Sequence, residues 1–510
     1  MKTAMNPIRC LIQDESTGAW LEFERPVEIV VAEGLTEVEP ALARVAERIR
    51  TRALWAAGWV SYEAAPAFDA ALRVRPPSDF PLVWFGLFPA PRIVPPPGFP
   101  VGEEAPIPWQ PRIDEADFRS AIARIRRCIQ EGETYQVNFT WRLQAPFTGS
   151  PRALFERMIA AQKTRLGAWL EVGDWAVCSA SPELFFRLEG DRLISRPMKG
   201  TEPRGGSAAE DRERARQLAA SEKNRAENVM IVDMVRNDLG RVCAPGSVEV
   251  TRLFENERYP TLWQMTSTVE GRAVGGLPEI FRALFPPASI TGAPKPRTMG
   301  IIADLEREPR SIYTGAIGFW APGPRAQFNV AIRTVLIDRR RQTAEFGVGG
   351  GIVWDSTAGG EWAEGWVKAR VLTERPSVFD LLETLAWHPD SGVKFLEEHL
   401  DRMEESARYF DRPFDRVAVR SLLFAAGSGP DPLRLRLLVD PTGRPTVERV
   451  ALKPLPSPYR VALAAGPIRR EDRFLYHKTT RRGIYEEALA GRPGFADVLL
   501  WNEAGEVTES

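Results

Sequence analysis

Proline sets the firmest limits on how this chain can fold, because it fixes φ and removes a backbone donor wherever it stands. Residues 91–112 are proline-dense, with Pro95-Pro96-Pro97 among them, and read as an extended connector rather than a packed element. Glu374-Arg375-Pro376 makes a second break. The chain therefore divides into residues 1–90, the connector 91–112, a long region 113–373 and a final segment 379–510. In 1–90 the β-like runs Trp20-Leu21-Glu22-Phe23 and Ala57-Gly58-Trp59-Val60-Ser61-Tyr62 flank a helical pattern over 38–53. The long region opens with a helix to about Glu131, with Asp114 as its N-cap. Beyond it, β-like runs at 175–178, 184–188 and 328–333 alternate with helices. This mixture predicts an α+β fold, and 510 residues suffice for two or more domains with sizeable cores.

All three histidines (His388, His399, His477) lie in the last quarter of the chain. The first 387 residues thus have no imidazole for acid–base work or metal binding. Chemistry there falls to carboxylates and amines, and any metal should be a hard, oxygen-liking ion such as Mg²⁺. Lys+Arg (67) and Asp+Glu (68) nearly cancel, so no global field attracts nucleic acid or an anionic membrane. No apolar run approaches the length of a membrane span, and residues 1–20 have no signal-like apolar core. Cys10, Cys128, Cys178 and Cys243 are scattered without metal-type spacing, as expected of reduced thiols in a cytoplasmic protein.

Three segments concentrate reactive side chains. Ser195-Arg196-Pro197-Met198-Lys199-Gly200-Thr201-Glu202-Pro203-Arg204-Gly205 places Lys199 in a turn-rich setting. Such a lysine is either an ordinary surface residue or, if burial or a neighbouring cation lowers its pKa, a nucleophile. The helical stretch 221–240 mixes Glu222, Glu227, Asp233 and Asp238 with so many apolar residues that it should be buried on most of its surface. Glu227 there is a helix-dipole partner or a metal ligand. Finally, Gly349-Gly350-Gly351 runs into Glu361, Glu364 and Lys368, spaced by three and four on one helical face: a salt-bridge face or a site.

Read together, these segments resemble the chorismate-utilising enzymes, the family of anthranilate synthase component I, aminodeoxychorismate synthase component I and the isochorismate synthases. The resemblance covers about residues 115–372. It rests on Gly132-Glu133-Thr134-Tyr135-Gln136-Val137-Asn138, Ser179-Ala180-Ser181-Pro182-Glu183, Lys223 to Gly240, Ser289-Ile290-Thr291-Gly292-Ala293-Pro294-Lys295, Ala331-Ile332-Arg333-Thr334 and Gly349 to Lys368. It implies a sandwich of antiparallel β-sheets flanked by helices. By position, Glu183 matches the general acid that protonates the departing C4 hydroxyl of chorismate. Glu227, Glu361 and Glu364 match the carboxylates around Mg²⁺, with Glu364 favoured over Glu361 as direct ligand. Tyr313, Arg333 and Lys368 match substrate-carboxylate contacts, where a bidentate Arg suits a planar anion. Gly200, Thr201, Ser289 and Thr291 match further contacts near substrate.

Two positions separate the branches of the family. Water-using members have a lysine where this chain has Gln136, so an incoming amine becomes the expected reactant here. Anthranilate synthases generally have Ala where this chain has Lys199, whereas the aminodeoxychorismate branch has Lys, thought to attack C2 covalently. The resemblance therefore implies amination of chorismate to 4-amino-4-deoxychorismate in 4-aminobenzoate and folate biosynthesis. Anthranilate synthase component I, or an idle scaffold that docks an amidotransferase, are the alternatives. Gln264, Asn224 and Pro287-Ala288 depart from common family residues. Relatives of this branch take ammonia from a glutamine amidotransferase subunit, and the histidine-free stretch excludes such a site from residues 1–387. A partner, or free ammonium, is implied.

The segment from Phe379 resembles the opening of a class IV pyridoxal-phosphate (PLP) enzyme, on Leu382-Glu383-Thr384-Leu385, His399-Leu400-Asp401-Arg402-Met403, His477-Lys478-Thr479-Thr480-Arg481 and Asn502-Glu503-Ala504-Gly505-Glu506-Val507-Thr508-Glu509. By position Lys478 would hold PLP, Glu509 would face its ring nitrogen and Arg402 would bind its phosphate. That family continues past the point where this sequence stops at Ser510, which implies an incomplete lyase-like part with weak or no activity.

Overall fold

The computed structural model describes residues 8–98, 106–374, 378–455, 457–470 and 472–509. The expected break at Arg375-Pro376 and the middle of the connector, 99–105, lie outside the described residues. The chain forms two compact units: Met1–Glu202 with Leu218–Pro376, and Pro203–Gln217 with Ser377–Ser510.

The first unit is built on two ten-stranded antiparallel sheets. Gln136–Pro146 and Thr343–Ile352 pair through ten residues at the centre of the site-bearing half of one sheet. That sheet runs on through Thr334–Asp338, Trp175–Ser179 and Ala168–Val172 to Arg9–Gln13 and Trp20–Glu24. The other sheet begins with Met198–Pro203 and Leu262–Arg272 and ends with Trp55–Val60, Val83–Phe88 and Glu28–Ala32. Residues 1–90 thus supply strands to both sheets. Period-two alternation decides which face each residue takes. Cys10, Ile12, Phe23, Trp59, Trp84 and Phe319 meet in the core between the sheets, where Trp59 stacks on Trp84 and Phe80 at 5.1 and 4.9 Å. Their neighbours Leu11, Ala56, Val60 and Phe85 face the flanking helices instead.

Helices cover both outer faces. Leu35–Arg52, Glu222–Gly240 and Leu277–Leu284 bury Val38, Leu42, Ile231, Val235 and Phe281 against one sheet. Glu115–Gln130 and Pro151–Gln162 bury Phe118, Ile122, Phe155 and Met158 against the other. Asp114 caps its helix by accepting from the Asp117 N–H at 2.7 Å. Two expectations need correction. Helix Glu222–Gly240 buries a single face, with Val229 40% exposed, because only residues three and four apart turn toward the sheet. The connector is packed at its ends: Arg92–Val94 pairs with Trp20–Glu24, and Gln110–Pro111 with Gln136–Pro146. Both are peripheral pairings, where a missing proline N–H is tolerated.

The second unit has a four-stranded antiparallel sheet ordered Gly392–Val393, Leu381–His388, Leu433–Val439, Pro445–Ala451. Helices Leu396–Tyr409 and Arg416–Ala426 share its core of Leu385, Leu400, Met403, Leu423 and Leu435. A small parallel pair, Val461–Leu463 with Asp497–Leu499, forms a separate cluster around Val498 and Leu500. No helix among the described residues is long and apolar enough to cross a membrane.

Inside the first unit, Arg310 is 1% exposed and joins four segments. Its guanidinium donates to the carbonyls of Asn138 (2.7 Å) and Ile290 (2.9 Å) and to Glu306 (2.6 and 2.9 Å), and stacks 4.5 Å from the Tyr62 ring. Glu63 in turn accepts the backbone N–H groups of Arg310 and Ser311 at 2.6 and 2.8 Å. Removing one partner of a buried pair leaves an uncompensated charge. Arg310→Met should therefore destabilise by about 3–5 kcal/mol in a denaturant titration. Adding Glu306→Met should recover part of that loss but not all, since the Asn138 and Ile290 carbonyls still lack a donor.

Candidate active site

Strand ends, a glycine floor and two helices enclose a cavity of about 340 Å³ in the first unit, large enough for a small-molecule substrate. Its polar lining includes Glu183, Lys199, Thr201, Lys223, Glu227, Ser289, Tyr313, Arg333, Glu361, Glu364 and Lys368.

The floor is Gly349-Gly350-Gly351 at the end of strand Thr343–Ile352, and the reason for glycine is visible at two positions. A Cβ on Gly351 would lie 2.5 Å from the Lys199 Nζ and 2.8 Å from the Gln136 Nε2. A Cβ on Gly350 would lie 3.2 Å from Glu361 Oε2, 3.4 Å from Lys368 Nζ and 3.7 Å from Glu364 Oε1. Bare backbone thus lets amine, amide and carboxylates converge over one strand.

Glu183 follows strand Trp175–Ser179 and is clamped by its backbone: its N–H donates to Ser181 Oγ at 3.2 Å and its carbonyl accepts from Val330 at 3.0 Å. Burial pushes its carboxyl up to about 7, while the Ser289 hydroxyl, Lys199 and the Met198 backbone pull the other way. Such a group is protonated near neutrality and can act as an acid. Lys199 makes no hydrogen bond or ion pair of its own among the described residues. Burial pulls its amine below the ordinary lysine range, helped by Lys368 and opposed by Glu227, Glu183 and Glu364. An unpaired amine with a lowered pKa is a competent nucleophile. Gln264 orients its strand, donating to the Gly200 carbonyl at 2.9 Å and accepting from Thr201 at 3.2 Å.

Arg333 is held at φ 50° and pairs with no carboxylate among the described residues; burial lowers it to about 10, still cationic at neutral pH. A buried guanidinium without a partner is an anion site in waiting. Tyr313 lies flat against Gly347, with the Arg142 guanidinium 4.9 Å from its ring. Lys368 donates to the Gly349 carbonyl at 2.8 Å and pairs with Glu364 at 2.7 Å, which holds the Glu364 carboxyl below its usual range. Glu361 accepts from Ser356 at 2.6 Å, and burial raises it, with Glu364 adding to the rise.

The all-carboxylate donor set is tested against Mg²⁺ over Gly350. Glu361 and Glu364 aim oxygens at the space a Cβ would fill, and Glu227 lines the same cavity. Among the described residues no three such groups are yet close enough to form a ready cluster. Carboxylate oxygens over a bare glycine suit a hard cation, which would relieve the mutual repulsion of Glu361 and Glu364 and compete with the Lys368 ammonium now paired with Glu364.

Two expected site residues stand apart from the cavity wall. Gln136 is fully buried behind Gly351, and both its side-chain N and O lack a partner. The Thr291 hydroxyl donates to the Ala288 carbonyl at 3.1 Å, and its carbonyl accepts from Asn138. Sequence reasoning missed Asn138, Lys223 and Ile332 as lining residues. Each lay inside a motif already quoted, beside a residue that was singled out.

In the second unit Lys478 is half-buried, and burial lowers its amine within reach of the charges of Glu383, Arg402, Arg482 and Glu509. Glu509 accepts from the Tyr485 hydroxyl at 2.6 Å. Arg402, however, gives both arms of its fork to buried Glu383 at 2.6 Å each, and His399 bonds the same carboxylate at 2.8 Å. A phosphate placed on Arg402 would meet the Glu383 charge. With its fork already committed to Glu383, Arg402 does not fit the phosphate of PLP.

Two antiparallel sheets flanked by helices around a histidine-free cavity of carboxylates and amines define a small-molecule site of an enzyme. The model of the chorismate binding enzyme family matches residues 92–374, and the chain belongs to that family. The model for amino-transferase class IV matches 380–510. Over 256 residues the chain is 42% identical to an aminodeoxychorismate synthase of Streptomyces pristinaespiralis, covering 50% of this chain and 35% of that one. It is 39% identical over 258 residues to aminodeoxychorismate synthase component 1 of Salmonella typhimurium, covering 50% and 56%. An anthranilate synthase component 1 of Haloarcula marismortui is 39% identical over 260 residues, covering 51% of each chain. The chain thus spans about half, or less, of the length of these relatives. The crystal structure of anthranilate synthase component I from Streptococcus pneumoniae shares the fold, with a TM-score of 0.60 at 23% identity over 73% of this chain and 94% of that one.

The raised Glu183 has a measurable consequence. Its folded pKa of about 7 lies above its ordinary value, so the folded state binds the extra proton and stability falls as pH rises from about 4.5 to 7. Glu183→Gln cannot ionise. In urea titrations it should match the parent near pH 4.5 and exceed its stability by roughly 2–3 kcal/mol at pH 8.

Proposed function

We propose that the protein aminates chorismate at C4 with ammonia, releasing water and forming 4-amino-4-deoxychorismate. The observation that carries this reading is Lys199: an unpaired amine with a lowered pKa, facing the same cavity as protonatable Glu183. Sequence identity does not separate the two activities among the relatives, since both kinds match at 39%. The amine does.

Arg333 supplies an unpaired cation for one substrate carboxylate, and Tyr313 and Thr201 frame the ring. Glu227, Glu361 and Glu364 would hold Mg²⁺, which supplies charge neutralisation for the other carboxylate. The Lys199 amine then forms a bond to C2 while the ring double bonds shift and the C4–O bond breaks, with the Glu183 proton leaving in water. Ammonia adds at C4, the double bonds shift back, the C2–N bond breaks to return the free Lys199 amine, and the proton lost from the new C4 ammonium restores Glu183. With Gln136 in place of a base, no group near the amine activates water. Ammonia from a glutamine amidotransferase partner fits the absence of histidine from this half of the chain, and the product places the reaction before 4-aminobenzoate in folate synthesis. Because Arg402 is held by Glu383, lyase activity and PLP binding by the second unit are expected to be weak or absent.

The test combines protein, chorismate, Mg²⁺ and an ammonium salt, with and without an added aminodeoxychorismate lyase. 4-Aminobenzoate should appear only with the lyase. Fluorescent anthranilate as the main product, or no turnover, would overturn the reading. Glu183→Gln should lower the rate by about 10²–10⁴-fold, and Lys199→Ala should lose most of it. Added PLP should give no pyridoxal absorbance band.

A further inference from the structure

Glu183 is clamped to its own loop, but the strand that presents Lys199 is poorly built to hold itself. Met198–Pro203 ends its sheet and is hydrogen-bonded on one side only, to Leu262–Arg272. Lys and Gly are weak strand formers, and Gly200 takes φ 94°. Unpaired sheet edges of this kind open readily. Acid and amine must nevertheless keep one spacing if both are to act on the same substrate ring.

Glu257, which does not line the cavity, reaches toward both from the end of strand Glu249–Arg258. Its Oε1 pairs with Arg196 Nε at 3.2 Å and accepts from the Thr266 hydroxyl at 3.2 Å. Arg196 closes strand Arg192–Arg196, and only Pro197 and Met198 separate it from Lys199. Pro197 has a fixed φ, and its carbonyl accepts the Ser267 N–H at 3.2 Å. Thr266 belongs to the strand on which Met198–Pro203 is paired. The other oxygen of Glu257, Oε2, accepts from the Tyr259 hydroxyl at 2.9 Å. Tyr259 is buried in a turn closed by its own N–H on the Leu262 carbonyl at 2.9 Å. Its hydroxyl also makes a longer contact, 3.4 Å, with the carbonyl of Pro182, on the peptide that enters Glu183. Tyr259 lies near enough to Arg333 for the two to act on each other electrostatically. From the far side Arg196 is held by buried Glu15, which also takes Arg187 at 2.8 Å. A network of charge-assisted bonds is stiffer than any one of its members.

We infer that Glu257 and Tyr259 are positioning residues: together they bracket the acid and the amine, tying the peptide before Glu183 to the strand before Lys199. This rests on the reading of Glu183 and Lys199 as the reacting pair. Neither residue lines the cavity, so loss of the bracket costs alignment rather than binding.

The full chain is assayed for chorismate amination with an ammonium salt and, separately, by hydrogen exchange. Tyr259→Phe should lower kcat about tenfold and Glu257→Ala about a hundredfold, each with KM for chorismate within about twofold, as expected for misaligned groups. Glu257→Gln keeps an acceptor for the Tyr259 hydroxyl and should lose no more than Tyr259→Phe. In the Lys199→Ala background, where no amine remains to be aligned, Tyr259→Phe should cost less than about twofold, whereas a merely structural role would repeat the full loss there. The Glu183 and Lys199 amides should exchange about threefold faster in Tyr259→Phe, with those of Trp20–Glu24 in the other sheet unchanged. An unchanged kcat in Tyr259→Phe, or the same loss in the Lys199→Ala background, would overturn the inference. Should Glu257→Ala fail to fold, Tyr259→Phe decides alone. A parent protein with no amination would sink the functional reading, and the exchange result would still decide whether the two peptides are bracketed.

Discussion

Two stretches of the cavity wall lean on one buried cation. Arg310 ties the Asn138 carbonyl of the long central strand to the Ile290 carbonyl beside Ser289, and its own backbone is fixed by Glu63 from the N-terminal ninety residues. Three residues on from Arg310 stands Tyr313, whose ring covers Gly347 of the floor strand. The interior would not tolerate this guanidinium without Glu306 and the two carbonyls, because an isolated buried charge is far costlier than the pair. Glu306 is itself held by the Thr140 N–H and hydroxyl at 2.9 and 2.8 Å. The network is closed, and a closed network of charge-assisted bonds has one geometry. That is what fixes the Asn138 and Ile290 carbonyls and the Glu63 carboxylate about a single residue.

The parts legible in the sequence were those encoded locally. Asp114 capped the helix it was expected to cap, the β-like runs at 20–23 and 175–178 became strands, and the run at 57–62 is strand only to Val60, with Tyr62 opening a helical turn. Glu183, Lys199 and Glu364 were readable because each lies in a dense motif, and all three line the cavity. What escaped was non-local. Nothing around Arg310 in sequence announces that its partners come from residues 63, 138, 290 and 306. Glycine was read as punctuation, whereas Gly350 and Gly351 are spaces reserved for side chains that arrive from other elements. Helix Glu222–Gly240 was overread for a related reason: apolar content was counted without asking which residues share a face.

Unpaired groups tell as much as paired ones. Natural interiors satisfy nearly all buried polar atoms, so exceptions mark either function or water. In the first unit the Lys199 amine and the Arg333 guanidinium line one cavity and the orphaned Gln136 amide lies behind its glycine floor, while Arg310 and Lys295 have their carboxylate partners. In the second unit the balance is reversed. Arg402, expected to be free for a phosphate, is fully engaged, and the best-satisfied cluster is the one that grips Arg204.

Charge counting links these observations to binding. The cavity is lined by four cations (Lys199, Lys223, Arg333, Lys368) and four carboxylates (Glu183, Glu227, Glu361, Glu364). Burial opposes the charged forms of Lys199 and Glu183 alike, so cations and anions stay matched in number around the cavity. A balanced site attracts a lone dicarboxylate only weakly, and a lone divalent cation equally so. If, as proposed, a dicarboxylate and a divalent cation enter together, they preserve the balance, which makes their binding mutually reinforcing and leaves local contacts, rather than a net field, to select them.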